Sequence, residues 1–334
     1  MATAQGPIPL VSTTLSRRDR LGALKVRLGW KRKLYRVVPG LYAVGEPGPE
    51  SPVLVTANYK LSFDHLRCEL GTLSAWLLVL DTKGINVWCA AGKGTFSTDE
   101  LVRQVTANRL AERVNHRQLI LPQFGAVGVA AHEVLKQCGF KVVYGPLRAS
   151  DLLAFLAAGC QADRAMRTVT FDLRERLLLT PVELFLQLKK FWWVLPLLAV
   201  LAGFGPGFWS WQHALARTPA AWGAWLLAAL AGCLLTPAYL PFLAGRAFSF
   251  KGAVMGLVLS GAVMVVRGMD LTAWDVAALL LSVSAFASWC ALQFTGATPY
   301  TSLSGVEKEM KRAVPMQGVA LLAGFACWVM AGLQ

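Results

Sequence analysis

Trp76-Leu77-Leu78-Val79-Leu80 is an unbroken apolar run, followed after a short turn by Gly84-Ile85-Asn86-Val87-Trp88-Cys89-Ala90-Ala91-Gly92-Lys93-Gly94. The first stretch reads as a strand and the second as a glycine-bounded loop at its end. Working outward, Val53–Val55, Gln118–Leu121 and Lys141–Tyr144 are further short apolar runs with turn residues around them. Helix signals lie between these runs. Ser97 and Glu100 have capping-box spacing and open a helix that should reach about Val114. Gly125–Gln137 reads as a second helix stopped by Gly139, and Asp151–Ala158 as a third, capped by Ser150 and stopped by Gly159. Thr180-Pro181-Val182-Glu183 offers a fourth start, with Pro at the first helical position. Strands alternating with helices predict an α/β, Rossmann-like parallel sheet with helices on both faces. In such sheets ligands bind outside the carboxyl ends of the strands. Two more glycine-bearing loops fall there, Pro122–Gly128 and Gly145–Arg148.

The Gly84–Gly94 stretch is not a phosphate loop. A Walker A pattern needs glycine where this chain has Val87, and Ser or Thr where it has Gly94. The seven cysteines (68, 89, 138, 160, 233, 290, 327) include no CxxC pair. Neither a zinc site nor an iron–sulfur cluster in this chain is therefore signalled. By residue type Cys89 is a buried structural thiol. Its setting supports another role: Ala90-Ala91-Gly92 allows a flat ligand close to the backbone, and Lys93 favours a thiolate.

Composition divides the chain in two. Hydrophobic residues make up 55% and charged residues 16%, with mean hydropathy +0.48, yet the net charge is +14. Residues 1–190 hold 26 of the 33 Lys+Arg and 15 of the 19 Asp+Glu. Beyond Lys190, apolar runs long enough to cross ~30 Å of hydrocarbon recur. They predict an all-α transmembrane domain of five helices near 191–209, 221–243, 252–266, 273–294 and 316–333, the third extensible to Phe248 or Met269. The loops carry Arg217; Arg246 and Lys251; Arg267; and Lys308, Lys311 and Arg312. The positive-inside rule puts the soluble domain and the second and fourth loops in the cytoplasm and the C-terminus outside. Residues 1–16 lack the apolar core of a signal peptide, in keeping with that orientation. Asp270, Asp275 and His213 fall in loops and the span interiors are uncharged, so the spans read as an anchor rather than a transport path. The expected domains are a basic segment at 1–36, a cytoplasmic domain at 37–180 and a transmembrane domain at 181–334.

The octapeptide Asn86-Val87-Trp88-Cys89-Ala90-Ala91-Gly92-Lys93 resembles the signature of the HgcA family, the corrinoid proteins of microbial mercury methylation. Pro52–Lys60, Leu121–Gly125 and Tyr144–Asp151 resemble the corrinoid domain of the corrinoid iron–sulfur protein of acetyl-CoA synthesis. The resemblance covers about Tyr35 to Glu183. It implies a corrinoid-binding domain holding a cobalamin-type corrinoid base-off, with residues 84–93 as a cap helix and Thr56, Gly125 and Gly145 beside the cofactor. By the same resemblance Cys89 is the lower axial ligand of cobalt. A thiolate trans to the methyl group eases its departure from methyl-cobalt(III) as a carbanion equivalent, the form that mercuric ion accepts; the lever is the axial ligand. The resemblance further implies a methyl donor linked to methyltetrahydrofolate, and an HgcB-like small ferredoxin with two 4Fe–4S clusters as reductant, in an anaerobe. Asn86 fixes the turn into the cap. Trp88 suits either the corrin edge or the core, and Lys93 either a corrin side group or solvent.

Nine basic side chains lie between Arg17 and Arg36. Beside a lipid bilayer, anionic headgroups are a nearer partner than nucleic acid; a solvated face that docks an acidic ferredoxin is the other reading. His65, His116 and His132 have no metal-ligand spacing and read as structural. Two alternatives keep the corrinoid pocket: a methyl carrier for another acceptor, such as acetyl-CoA-type or arsenic chemistry, and a non-enzymatic membrane-anchored sensor.

Overall fold

The structure is a computed structural model and describes residues 1, 6–267, 271–298 and 300–334. It divides into two compact units, Met1–Thr170 and Phe171–Gln334.

The first unit is built on a six-stranded sheet. Its strands are β1 (Leu10–Val11), β2 (Gly40–Val44), β3 (Val53–Ala57), β4 (Ala75–Leu80), β5 (Gln118–Leu121) and β6 (Lys141–Tyr144), in the order β1-β2-β4-β3-β5-β6. β4, β3, β5 and β6 are mutually parallel, while β2 runs antiparallel to β4. Every residue of β3 and β4 is buried. That is why both read as unbroken apolar runs: a parallel strand covered on both faces has no solvent side to mark with polar residues. One face carries Val53, Val55, Leu78, Leu80, Leu119 and Leu121 against α3 (Val87–Gly92), α4 (Thr98–Ala107) and α5 (Ala131–Cys138). The other carries Leu54, Leu77, Val79 and Ile120 against α2 (Lys60–Glu69) and α6 (Leu152–Ala157). This is the α/β parallel sheet with helices on both faces that the pattern predicts. An N-terminal helix, α1 (Arg17–Arg27), precedes it.

Several helix boundaries differ from expectation. α4 ends at Ala107, because Asn108 caps it and Arg109 turns left-handed at φ 47°. The stretch from Gly125 breaks into a single turn at Gln123–Gly125 and α5, with Gly128 between them. A Cβ at Gly128 would come within 2.0 Å of the Phe96 carbonyl oxygen, so only glycine fits where the chain passes Phe96. Ser150 caps nothing; a turn at Ala149–Asp151 leads into α6 instead. Gly139 and Gly159 do end their helices, at φ 74° and 65°.

The second unit is helical. α7 (Leu173–Phe191) starts at Asp172, whose side chain accepts from the Glu175 N–H at 2.9 Å, so Pro181 lies within it instead of opening it. Thr180 Oγ1 donates to the Arg176 carbonyl near the point where proline removes a backbone donor. α8 (Val194–Ala202) follows, bent 54° from α7, then the two-residue strands β7 (Phe204–Gly205) and β8 (Phe208–Trp209). Trp211–Ala238, which comprises α9 (Trp211–Leu230), a π-helical turn (Ala231–Leu235) and α10 (Thr236–Ala238), is long and apolar enough to cross a membrane. So are Phe248–Val266 in α11 (Phe248–Arg267), Ala273–Gly296, which begins with α12 (Ala273–Gln293), and Ser304–Leu333 in α13 (Leu303–Leu333). The bent pair α7–α8 passes the same test as one span, for four to five such helices among the described residues.

Six of the seven cations expected in loops sit in helices: Arg217 in α9, Lys251 and Arg267 in α11, and Lys308, Lys311 and Arg312 in α13, which starts well before the apolar run at 316; Arg246 alone is in a loop. Arg217 is stacked over Trp328 at 4.6 Å. Lys251 lies in the first turn of α11, where its Nζ donates to the Leu240 and Leu243 carbonyls at 2.8 Å each. His213 is likewise helical, in the first turn of α9. Asp275 caps α12 through a reciprocal box with Thr272. Met269 and Asp270 lie outside the described residues.

Candidate functional site

The loop leaving β4 is held by one asparagine. Asn58, buried just past the end of β3, accepts at Oδ1 from the Thr82 N–H (3.2 Å), the Thr82 hydroxyl (2.9 Å) and the Gly84 N–H (2.9 Å). Its Nδ2 donates to Asp81 at 3.0 Å. Thr82 Oγ1 also reaches the Ile85 carbonyl at 2.7 Å. Glu100 ties the same turn from α4 by accepting from the Asp81 N–H at 2.8 Å. The Glu100 carboxylate is thus drawn away from the capping box its spacing suggested, and only the Ser97 half of that box forms. Burial alone would raise the pKa of both carboxyls. Lys83 and Asn58 at Asp81, and Arg103, the Asp81 amide and Gln104 at Glu100, more than offset it, and each sits below its ordinary value. The chain turns through Lys83 and Gly84 at φ 58° and 73° before entering α3.

α3 is the expected short helix within residues 84–93. Asn86 caps it, Oδ1 accepting from the Cys89 N–H at 3.0 Å. The cap therefore fixes the backbone of the one cysteine singled out above. Ala90 and Ala91 are buried against the sheet side, Cys89 is half-buried, Trp88 is exposed, and Gly92 and Lys93 face solvent. The Lys93 N–H bonds back to the Cys89 carbonyl at 3.2 Å and closes the helix.

An open cavity of about 290 Å³ lies at the carboxyl ends of the parallel strands. Thr56, Asn86, Val87 and Trp88 line it. Trp88 and Phe124 form an aromatic wall, with ring centroids 5.9 Å apart. The Pro146–Ala149 loop completes the opposite rim. Cys89 sits one residue beyond the lining, on the same short helix. Gly125 and Gly145 do not line the cavity. A Cβ at Gly125 would lie 2.6 Å from the Phe96 ring, and one at Gly145 3.3 Å from Ile120, so protein neighbours already account for both glycines.

Several lining residues were not anticipated, among them Leu152 on α6 and a group on α2. Ser62, His65 and Leu66 face the cavity from α2 at i, i+3 and i+4 spacing, the signature of a shared helix face. His65, expected to be structural, is exposed there. Of the other histidines in the α/β unit, His116 bonds the Ser51 carbonyl at 2.9 Å and His132 lies beside Glu133.

Fold and site together define a doubly covered α/β ligand-binding domain joined to a helical unit with membrane-length helices. Residues 28–156 match the family described as CO dehydrogenase/acetyl-CoA synthase delta subunit, CdhD. The chain is 33% identical over 123 residues to the acetyl-CoA decarbonylase/synthase complex subunit gamma of Archaeoglobus fulgidus, covering 36% of this chain and 26% of that one. It is 32% identical over 127 residues to the Methanopyrus kandleri subunit gamma, covering 37% and 27%. It is also 30% identical over 156 residues to the corrinoid/iron–sulfur protein large subunit of Moorella thermoacetica, covering 44% and 34%. The chain spans about a quarter to a third of the length of these relatives. The family match lies within the α/β unit, and with these relatives it supports a domain of that family there.

Proposed function

We propose that this chain is a corrinoid-dependent methyltransferase, anchored in the cytoplasmic membrane, that delivers a methyl group to mercuric ion. The observation carrying the reading is the Asn86-capped helix, whose residues 86–88 line a cavity at the strand ends and which carries Cys89 one residue beyond them. A Moorella relative named as a corrinoid protein supports the cofactor class, and the Asn86–Lys93 octapeptide supports mercury as acceptor.

The residues present fit a flat macrocycle. The cavity is open, with an aromatic wall at Trp88 and Phe124 and a buried Thr56 at its floor. Trp88, Phe124, Thr56 and the Pro146–Ala149 loop would hold the ring, and the Cys89 thiolate would be the protein's donor to its metal. When bound, the corrinoid supplies a methyl group carried on cobalt. The chain's own residues set the geometry: Asn58 fixes the turn, Asn86 orients the amide of Cys89, and Ala90 and Ala91 pack the helix tightly enough to hold its position. A thiolate donor increases electron density across the metal, which suits transfer to an electrophile such as mercuric ion. Gly125 and Gly145 allow close packing of Phe96 and Ile120 against the loops that carry Phe124 and Pro146.

The reading includes a small ferredoxin with two 4Fe–4S clusters as electron source and a methyltetrahydrofolate-linked donor. It also includes five spans, with the corrinoid domain in the cytoplasm and the C-terminus outside. A methyl carrier for another acceptor is the second reading, favoured by relatives whose names place them in acetyl-CoA complexes. The test is to purify the full chain, load it with cobalamin, and assay methylmercury with a low-potential reductant and a methyl donor. One corrinoid per chain and methylmercury formation are expected. Corrinoid without methylmercury would favour the second reading, and no retained corrinoid would overturn both.

A further inference from the structure

The N-terminal helix α1 has two opposed sides. At about 100° per residue, Asp19, Gly22 and Val26 share one side, and that side is docked on the domain. Asp19 pairs with Lys60 at 2.6 Å and Arg67 at 3.1 Å. Lys60 and Arg67 in turn hold Asp64, buried on α2. Gly22 lies so close to Tyr35 that a Cβ would meet its ring at 2.7 Å, and Val26 is 3% exposed. Ser16 and Asp19 close a full capping box at the helix start. The helix is therefore held rigidly by one side.

The opposite side is apolar and open. Leu21, Leu24 and Leu28 recur at i, i+3 and i+7, and they are 58%, 55% and 45% exposed; Trp30, just beyond the helix, is 58% exposed. Exposed Arg17, Arg18, Arg20, Lys25, Arg27 and Lys31 border this stripe. A solvated face or a nucleic-acid site explains the cations but leaves the leucines in water at a cost. An acidic protein explains the cations but not a stripe of aliphatic side chains ending in tryptophan. A lipid surface with anionic headgroups answers both, since headgroups meet the cations while Leu and Trp enter the acyl boundary. The same chain carries four to five membrane-length helices, so a bilayer is always at high effective concentration.

We propose that α1 and Trp30 form an interfacial anchor that binds anionic phospholipid through the Leu21–Leu24–Leu28 stripe and its flanking cations. The surface is separate from the cavity, and the inference does not depend on the corrinoid reading.

The test uses the full chain in nanodiscs, comparing amide hydrogen exchange of residues 17–30 in phosphatidylcholine alone and with about one-third phosphatidylglycerol. About tenfold slower exchange is expected in the anionic discs, reversed by salt at about 0.5 M, where screening shortens to a few ångströms. The triple variant Leu21→Ser, Leu24→Ser, Leu28→Ser should remove the lipid effect. Peptides from β3, read in the same spectra, report whether the domain stays folded. Arg17→Gln with Arg18→Gln and Arg20→Gln, a second and independent set, should weaken protection. Equal exchange in the two lipids, or protection that survives the serine variant, would overturn the proposal.

Discussion

The two units use polar groups in opposite ways. In the α/β unit they converge at one edge of the sheet: Asn58, Asp81, Thr82, Asn86 and Glu100 all serve the turn and short helix that carry Cys89. In the helical unit they are dispersed, each tying one helix to another or to its own loop. Gln317 donates to Ser288 at 2.7 Å, the Trp289 indole N–H to Gln187 at 3.3 Å, and Lys251 to two carbonyls. A network aimed at a single loop positions chemistry, whereas isolated bonds between apolar helices hold packing. Substitutions in the first network should therefore damage ligand binding beyond their effect on stability, and those in the second should change stability alone.

The largest effect is expected at Asn58. Asn58→Leu strands the Gly84 N–H in a buried setting, which costs about 1–3 kcal/mol, and removes the ties to Thr82 and Asp81, although Thr82 keeps the Leu80 and Ile85 carbonyls. Thermal unfolding of the α/β unit should fall by many degrees and corrinoid retention should be lost. Gly128→Ala comes next, because its Cβ would be forced to 2.0 Å from a backbone oxygen. Overpacking of this kind costs about 1–3 kcal/mol, read as a lowered unfolding midpoint. Asn86→Ala removes the cap at about 1 kcal/mol. Corrinoid affinity should drop by more than that, and Asn86→Asp should recover stability through the same cap. In the helical unit, Gln317→Leu should cost about 1 kcal/mol and leave corrinoid binding unchanged. Equal losses of binding from Gln317→Leu and Asn86→Ala would break the contrast between the units.

The smallest effect is pH-dependent. The hydrogen bond from Lys60 holds the Asp19 carboxyl far below its ordinary value of 3.8, with Ser16 assisting against the opposing effect of burial. A depressed carboxyl pKa stabilises the folded state above the unfolded value and is lost as the group protonates below it. Docking of α1 should thus be constant above about pH 4 and weaken on further acidification, measured as rising exchange of α1 amides. Asp19→Asn should abolish that dependence.

How much was legible in the sequence follows from where each signal is stored. The four parallel strands could be read because burial on both faces leaves continuous apolar runs. β1 and β2 could not, because Leu10–Val11 is two residues long and Gly40–Val44 is bounded by no comparable contrast. Thr180-Pro181 has the chemistry of a helix start, yet Asp172 caps earlier and α7 absorbs the proline. At the site, Asn86 and Cys89 are neighbours in sequence, so their relation was visible. Asn58 acts on residues 23 to 26 positions away, and His65 reaches the cavity from a different helix. Only the fold brings such groups together. The glycines at 125 and 145 show the converse: a ligand loop and tight packing leave the same mark in sequence.

In the proposed function the Cys89 sulfur is a ligand to cobalt. X-ray absorption at the cobalt edge of the corrinoid-loaded full chain, compared with Cys89→Ala and His65→Ala, tests it most directly. One sulfur neighbour is expected in the unaltered chain and in His65→Ala, and none in Cys89→Ala. A cobalt shell of nitrogen alone that is unchanged by Cys89→Ala and altered by His65→Ala would contradict it.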